Sequence, residues 1–159
     1  MLSAPVVQAV IREYRPGDFE TLWRIDQACF APGVSYSRRE LAHHTNRKGA
    51  FTLVAELAAR IVGFVIGVRE RKGQGHIITI DVIAEARGAG VGSRLIAAAE
   101  ERLRSLGSEV VFLETAVNND AALAFYKRHG YTIVNAIPRY YLDSIDALVL
   151  AKGLSPKRP

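Results

Sequence analysis

Arg87-Gly88-Ala89-Gly90-Val91-Gly92-Ser93 decides how the rest of the chain is read. It follows a β-branched run, His76 to Ile83, and opens a helical pattern in which Val91, Leu95, Ala98, Ala99, Leu103 and Leu106 recur at three- and four-residue steps. Arg94, Glu100, Glu101, Arg102 and Arg104 fill the other face, and Gly107 supplies the C-terminal stop. A strand thus feeds a glycine-rich turn and then a helix that packs on a sheet. Backbone amides at a helix N-terminus point outward and carry partial positive charge, so a turn with little side-chain bulk cradles phosphate oxygens. Glycine at 88, 90 and 92 lets the backbone approach a ligand closely, and Ser93 offers a hydroxyl. Each glycine costs a helix about 1 kcal/mol relative to alanine, although a tight turn without a ligand uses the same residues. A P-loop requires Gly-Lys-Ser/Thr where this chain has Gly92-Ser93-Arg94, and the dinucleotide fingerprint needs its third glycine at Ser93. Neither pattern fits.

Working outward, Phe51 to Leu57 and Ile61 to Arg69 are apolar strands joined by Ala58-Ala59-Arg60, which predicts an antiparallel hairpin, with Arg71 to Gly75 as the next turn. Ser37-Arg38-Arg39-Glu40 has capping-box spacing and starts a short helix. Before it, Arg15-Pro16-Gly17-Asp18 separates a strand, Val6 to Glu13, from a helix carrying Leu22, Ile25 and Cys29. On the other side, Val110 to Thr115 reads as a strand, Asp120 to His129 as a helix stopped by Gly130, and Tyr131 to Ile137 and Ile145 to Lys152 as closing strands.

A length of 159 residues fits one domain, residues 1–159, with a core of its own. Apolar residues make up 49% and charged residues 23%, so the chain should fold throughout. No apolar run approaches the ~18 residues that span a bilayer, and Met1-Leu2-Ser3-Ala4-Pro5 lacks the features of a secretory signal. The expected setting is the cytoplasm, with no membrane partner. Cys29 is the only cysteine, which excludes an internal disulfide and a multi-cysteine metal site; it reads as a buried packing residue, and no metal is expected. The net charge of +5 suggests an anionic partner. Its basic clusters, Arg69-Glu70-Arg71-Lys72 and Lys157-Arg158, are short and belong to no nucleic-acid motif. A phosphorylated cofactor accounts for the same excess, and nucleic acid is not expected.

Residues 87–92 match Arg/Gln-x-x-Gly-x-Gly/Ala and resemble the pyrophosphate loop of the GNAT superfamily of acyl-CoA N-acyltransferases. Ile80-Asp81-Val82 and Glu85-Ala86-Arg87 are similar to the family's fourth strand and the turn after it. Leu113-Glu114-Thr115, Asn118 to Ala122, Phe125-Tyr126 and Gly130-Tyr131 are similar to its second motif, so the likeness runs from Ile80 to Lys152. The resemblance implies an α/β (α+β) fold, with a mixed, mostly antiparallel sheet of six to seven strands, four helices, and a splayed parallel pair at strands 4 and 5. It implies acetyl-CoA as cofactor, coenzyme A as product and an amine as acceptor. By the same resemblance, Ile80 and Val82 pair with the pantetheine arm, Arg87, Gly88, Ala89, Gly90, Val91, Gly92 and Ser93 surround the diphosphate, and Asn119 contacts the arm.

Asn119 and Tyr126 stand seven residues apart, two helical turns, so both project from nearly one face. The resemblance makes Tyr126 the acid that meets the departing thiolate; an amphipathic core tyrosine is the other reading. A thiol near pKa ~8.5 leaves as a thiolate that a phenol near ~10 can stabilise. An amine attacks only when neutral, so a base is required. Glu114 is the first choice, standing where the resembled N-terminal acetyltransferases carry a glutamate on the fifth strand, and Asp81 is the second; an ion pair with a basic neighbour is the alternative for each. An α-amine of pKa ~7.7–8.0 is already about a tenth neutral at pH 7, whereas a lysine amine is almost wholly charged.

Pro138-Arg139-Tyr140-Tyr141 and Asp146-Ala147-Leu148 resemble segments of RimI-like ribosomal-protein alanine N-acetyltransferases. That implies a peptide or protein N-terminus as partner, with Tyr140 and Tyr141 on one wall and Phe30 through Tyr36 on the other; the tyrosines also suit a plain cap on the core. A monomer or weak dimer is expected. A small-molecule amine acetyltransferase and a non-catalytic acyl-CoA-binding module are the rival classes.

Overall fold

In a computed structural model, residues 7–155 are described. Met1 to Pro5, the predicted strand start at Val6 and the basic pair Lys157-Arg158 lie outside the described residues. The β-rich runs flanking the glycine turn form one seven-stranded sheet. In chain order the elements are β1 Val10–Glu13, α1 Phe19–Cys29, α2 Arg38–Asn46, β2 Ala50–Leu57, β3 Arg60–Arg71, β4 Gln74–Val82, α3 Val91–Ser105, β5 Val110–Ala116, α4 Asp120–Arg128, β6 Thr132–Tyr141 and β7 Ile145–Gly153. Spatial order across the sheet is β1-β2-β3-β4-β5-β7-β6, antiparallel except where β4 meets β5. Among the described residues, no helix is long and apolar enough to cross a membrane.

Alternation along the strands divides the core between the two faces of the sheet. Leu53, Val65, Ile77 and Leu113 turn to α3 and meet Leu95 and Leu103. Val54, Phe64 and Ile66 turn the other way and meet Leu22, Ile25 and Leu41 of α1 and α2. Gly75 lets α3 sit close to β4, because a Cβ there would lie 2.9 Å from Leu103. The capping box is present at the start of α2: Ser37 Oγ accepts from the Glu40 amide at 3.1 Å, and Glu40 Oε1 accepts from the Ser37 amide at 3.0 Å.

Two irregularities build the cleft. In β4, Ile77 pairs with Gly67 but Thr79 pairs with Ile66, which leaves Ile78 as a bulge. The extra residue exchanges the faces: Ile77 packs under α3, whereas Thr79 and Asp81, opposite Ile66 and Phe64, turn toward α1 and α2. The second irregularity is the parallel pair. β4 and β5 share a register only from Gln74 to His76 against Val110 to Phe112, after which β4 runs on to Val82 and β5 stays with β7. The strands splay from that point, as expected for strands 4 and 5.

Several boundaries differ from the sequence reading: β3 runs to Arg71 and β4 starts at Gln74, so the expected Arg71 to Gly75 turn shrinks to Lys72-Gly73. The Ala58-Ala59-Arg60 link is a two-residue turn, with Ala58 and Ala59 at φ 51° and 62° and Arg60 already in β3. β1 begins at Val10. β6 runs to Tyr141 instead of stopping at Ile137, because Tyr141 pairs with Ile145 and Asp146 Oδ1 accepts the Arg139 amide at 2.9 Å.

Candidate active site

The splayed strands enclose a cleft of about 720 Å³. His76 stands at its vertex, as the last β4 residue paired with β5. Its Nε2 lies 2.6 Å from Glu114 Oε2, and its Nδ1 lies 2.8 Å from Glu70 Oε1. Arg47 reaches the same Glu70 oxygen at 3.6 Å. Burial works against an imidazolium, but the hydrogen bonds and charges of Glu114 and Glu70 outweigh it and lift His76 above the ordinary 6.5. Glu70 is held below its usual range: burial opposes this, and His76 and Arg47 overcome it. His76 is the functional candidate that the sequence reading missed. Its partner Glu114 lies 38 residues away, and only the short parallel register brings the two together.

Farther out, the glycine turn forms the other end of the cleft. Gly88 and Gly90 have φ of 80° and 82°, a region costly for any residue with a Cβ. Arg94 N to Gly90 O, 3.1 Å, is the first bond of α3, so the amides of Val91, Gly92 and Ser93 precede the helical ladder. A Cβ added at Gly88 or Gly90 meets nothing within 4 Å and enters open space. Gly92 differs, since a Cβ there would come within 3.1 Å of the Phe125 ring; its small size serves the approach of α3 to α4. The turn and the β5-facing edge of β4 beyond His76 together fit an extended arm ending in a diphosphate.

Arg87, Val91 and Ser93 also line the cleft, as do Ile80 and Val82; Ala89 does not. Ser93 Oγ lies 3.0 Å from His129 Nε2. The Val82 carbonyl accepts from Arg87 Nε at 3.1 Å and from the Cys29 thiol at 3.4 Å. Cys29 does pack against the core between α1, α2 and the sheet, as expected, but it is only half-buried and also lines the cleft wall, and burial pushes its thiol up.

Asn119 caps α4 by accepting the Ala122 amide at 3.2 Å, and it lines the cleft together with Tyr126. Tyr126 packs edge-on to Phe125 and Tyr131, with centroids at 5.3 and 5.8 Å. Burial, then the charges of Asp81 and Tyr141, hold its phenol protonated well above the ordinary 10.0. Phe30 and Tyr36 form one acceptor-side wall and Tyr141 the facing one. Tyr140, 51% exposed, stays outside the cleft and stacks edge-on behind Tyr141 at 4.8 Å. Burial and the charges of Tyr140 and Glu114 push Tyr141 to about 12. Between the walls, Gly33 and Leu142 touch. Of the two carboxylates considered as bases, only Glu114 lines the cleft; Asp81 is 1% exposed, behind the floor.

Residues 19–131 match the acetyltransferase (GNAT) family. This chain belongs to the GNAT family. An uncharacterized N-acetyltransferase of Methanocaldococcus jannaschii is 30% identical to it over 144 residues, covering 90% of each chain. An N-alpha-acetyltransferase of Sulfurisphaera tokodaii is 27% identical over 156 residues, 91% of this chain and 92% of the relative. Among solved structures, Ard1 from Thermoplasma volcanium superposes with a TM-score of 0.85 at 30% identity, covering 94% of this chain and 99% of that one. The ribosomal-protein-S18-alanine N-acetyltransferase of Escherichia coli superposes at 0.82 with 20% identity, 94% and 96% covered, a likeness of fold. The GNAT chain is an acetyl-CoA-dependent N-acetyltransferase. Its mixed sheet, splayed parallel pair and four helices are those of the family.

Proposed function

We propose that this GNAT enzyme acetylates the N-terminal α-amine of a protein or peptide by direct attack. The observation that carries the reading is the Glu114–His76 pair at the vertex, 2.6 Å apart, whose Glu114 member lines the same cleft as Tyr126. Relatives named N-alpha-acetyltransferase, and the superposition on Ard1, support the α-amine. Bound acetyl-CoA supplies the thioester carbonyl that is attacked and the thiolate that leaves. Backbone amides around Gly88 and Gly90, with the open edges of Ile80 and Val82, hold the cofactor, and Asn119 keeps its arm against α4. Glu114 and His76 receive the ammonium proton, which His76 passes toward solvent-exposed Glu70. Tyr126, kept as a phenol, donates to the departing sulfur.

Within this class, the Arg139-Tyr140-Tyr141 and Asp146-Ala147 segments support a RimI-like type; the proposal further takes the chain as a single domain, a monomer or weak dimer, in the cytoplasm. The test is acetyl transfer to short peptides varied at their first two residues, beside the same peptides with blocked N-termini and beside free lysine. Free N-termini should be acetylated and blocked ones spared; equal turnover of both removes the α-amine assignment.

Gly90→Val tests the cradle. A β-branched residue at φ 82° is strained, and its side chain enters the space assigned to the diphosphate. Losing one or two charge-assisted bonds weakens acetyl-CoA binding about 10- to 100-fold. Calorimetric titration reads this directly, and an unchanged affinity contradicts the assignment.

A further inference from the structure

Asp81 and Asp26 pose a problem that the transfer reaction does not explain. They are 1% and 0% exposed, and each keeps a buried oxygen, Asp81 Oδ2 and Asp26 Oδ1, with no hydrogen-bond partner. The two carboxyls are within hydrogen-bonding reach of each other. Two buried carboxylates repel, and an isolated buried charge is costly, so the arrangement needs a proton between them. The remaining oxygens are already used: Asp81 Oδ1 accepts from Thr79 Oγ1, and Asp26 Oδ2 accepts from the Tyr36 amide at 2.6 Å.

The pair joins three parts of the acceptor side. Asp81 lies on β4 just beyond the bulge, Asp26 lies on α1, and the Tyr36 amide belongs to the loop that walls the cleft. Tyr36 is secured from behind as well, its ring edge-on to His44 at 4.9 Å. We propose that Asp26 and Asp81 share one proton as an acid–carboxylate pair, and that this bond is the positioning device holding α1 and the Tyr36 loop in place to receive the acceptor peptide. Neither residue touches reactants. The proposal rests on the peptide-acceptor reading for its kinetic arm only.

Burial first, and then the hydrogen bond and charge of Asp26, hold Asp81 well above its ordinary 3.8, and burial raises Asp26 against the opposing effect of its bond with Asp81. Other groups that act on the pair are Arg87, which favours an ionised Asp81; Glu40, which opposes ionisation of Asp26; the Cys29 thiol; and the Tyr36 and Tyr126 phenols. The native state therefore retains a proton that the unfolded chain releases above the ordinary carboxyl range. Stability attributable to the pair falls as pH rises from 3.8 toward its raised value. Beyond that value both carboxyls ionise, the Tyr36 loop loses its anchor, and peptide KM rises.

Asp81→Asn replaces the shared proton with a fixed amide donor. It should keep peptide KM near wild type where the wild-type pair holds its proton, abolish the rise in peptide KM beyond that range and flatten the fall of Tm with pH. The wild type should show the infrared carbonyl band of a protonated carboxylic acid at neutral pH, absent in Asp81→Asn. Asp81→Ala leaves Asp26 unmatched and should raise peptide KM about tenfold while acetyl-CoA KM stays put. Asp26→Asn, whose amide both accepts from Tyr36 and donates to Asp81, should rescue as Asp81→Asn does and guards against an alanine variant that fails to fold. Identical infrared spectra and identical Tm–pH curves for wild type and Asp81→Asn overturn the shared proton, whatever the acceptor. An intact shared proton with unchanged peptide KM in Asp81→Ala overturns the positioning role.

Discussion

Glu114→Gln is expected to lower kcat by about 10²-fold or more while leaving acetyl-CoA affinity unchanged. Glutamine keeps the shape of the side chain but cannot take a proton, and it removes one of the two carboxylates that grip His76. The glycine turn lies on the far side of the cleft and is untouched. The pH profile gives a second readout. In the wild type His76 retains its proton above 6.5, so kcat/KM rises with pH only as the pair at the vertex empties. Without Glu114, His76 loses part of what raises it, and the rise shifts to lower pH on a much reduced maximum. The same pair contributes to stability: its contribution is fully present below 6.5 and fades as pH climbs through the raised His76 value. Steady-state kinetics from pH 6 to 9 check the prediction, and an unaltered kcat would show that the proton leaves by another route.

Tyr126→Phe carries the second large effect, also about 10²-fold in kcat. The substitution is nearly silent for packing, since the ring contacts to Phe125 and Tyr131 are retained. What disappears is a phenol that burial keeps protonated, the group proposed to meet the departing thiolate. The defect should therefore depend on the leaving group. With an acetyl thioester of a more acidic thiol, a better thiolate needs less help, and the ratio of wild type to Tyr126→Phe should shrink. A ratio that stays constant across thioesters would assign Tyr126 to packing alone.

Local chemistry made the cofactor end readable from sequence. Positive φ at 88 and 90 admits few residues other than glycine, so those positions announce a backbone-lined turn, and Ser37 with Glu40 announces a helix start. The strands and helices followed from periodicity. What sequence could not supply was register. His76 looks like an ordinary strand residue until three parallel pairings place it beside Glu114. Strand alternation alone could not say whether Asp81 or the preferred Glu114 faces the acceptor; the Ile78 bulge turns Asp81 behind the floor, toward Asp26. Gly92 resembled its neighbours at 88 and 90, yet its surroundings are set by Phe125, on a helix reached through another strand. The extension of β6 was hidden because Arg139, Leu142 and Asp143 take positive φ without a glycine to mark the bends.

At Gly33, φ is 87°, and a methyl added there would collide with Leu142 Cδ2. The mouth of the enzyme is thus clasped by a missing atom: two loops from opposite ends of the chain meet only because one of them offers no bulk. Any larger residue at 33 must push the exposed Leu142 side chain aside and is strained at this φ, so the seating of the two loops is set by a spacer that never handles the chemistry.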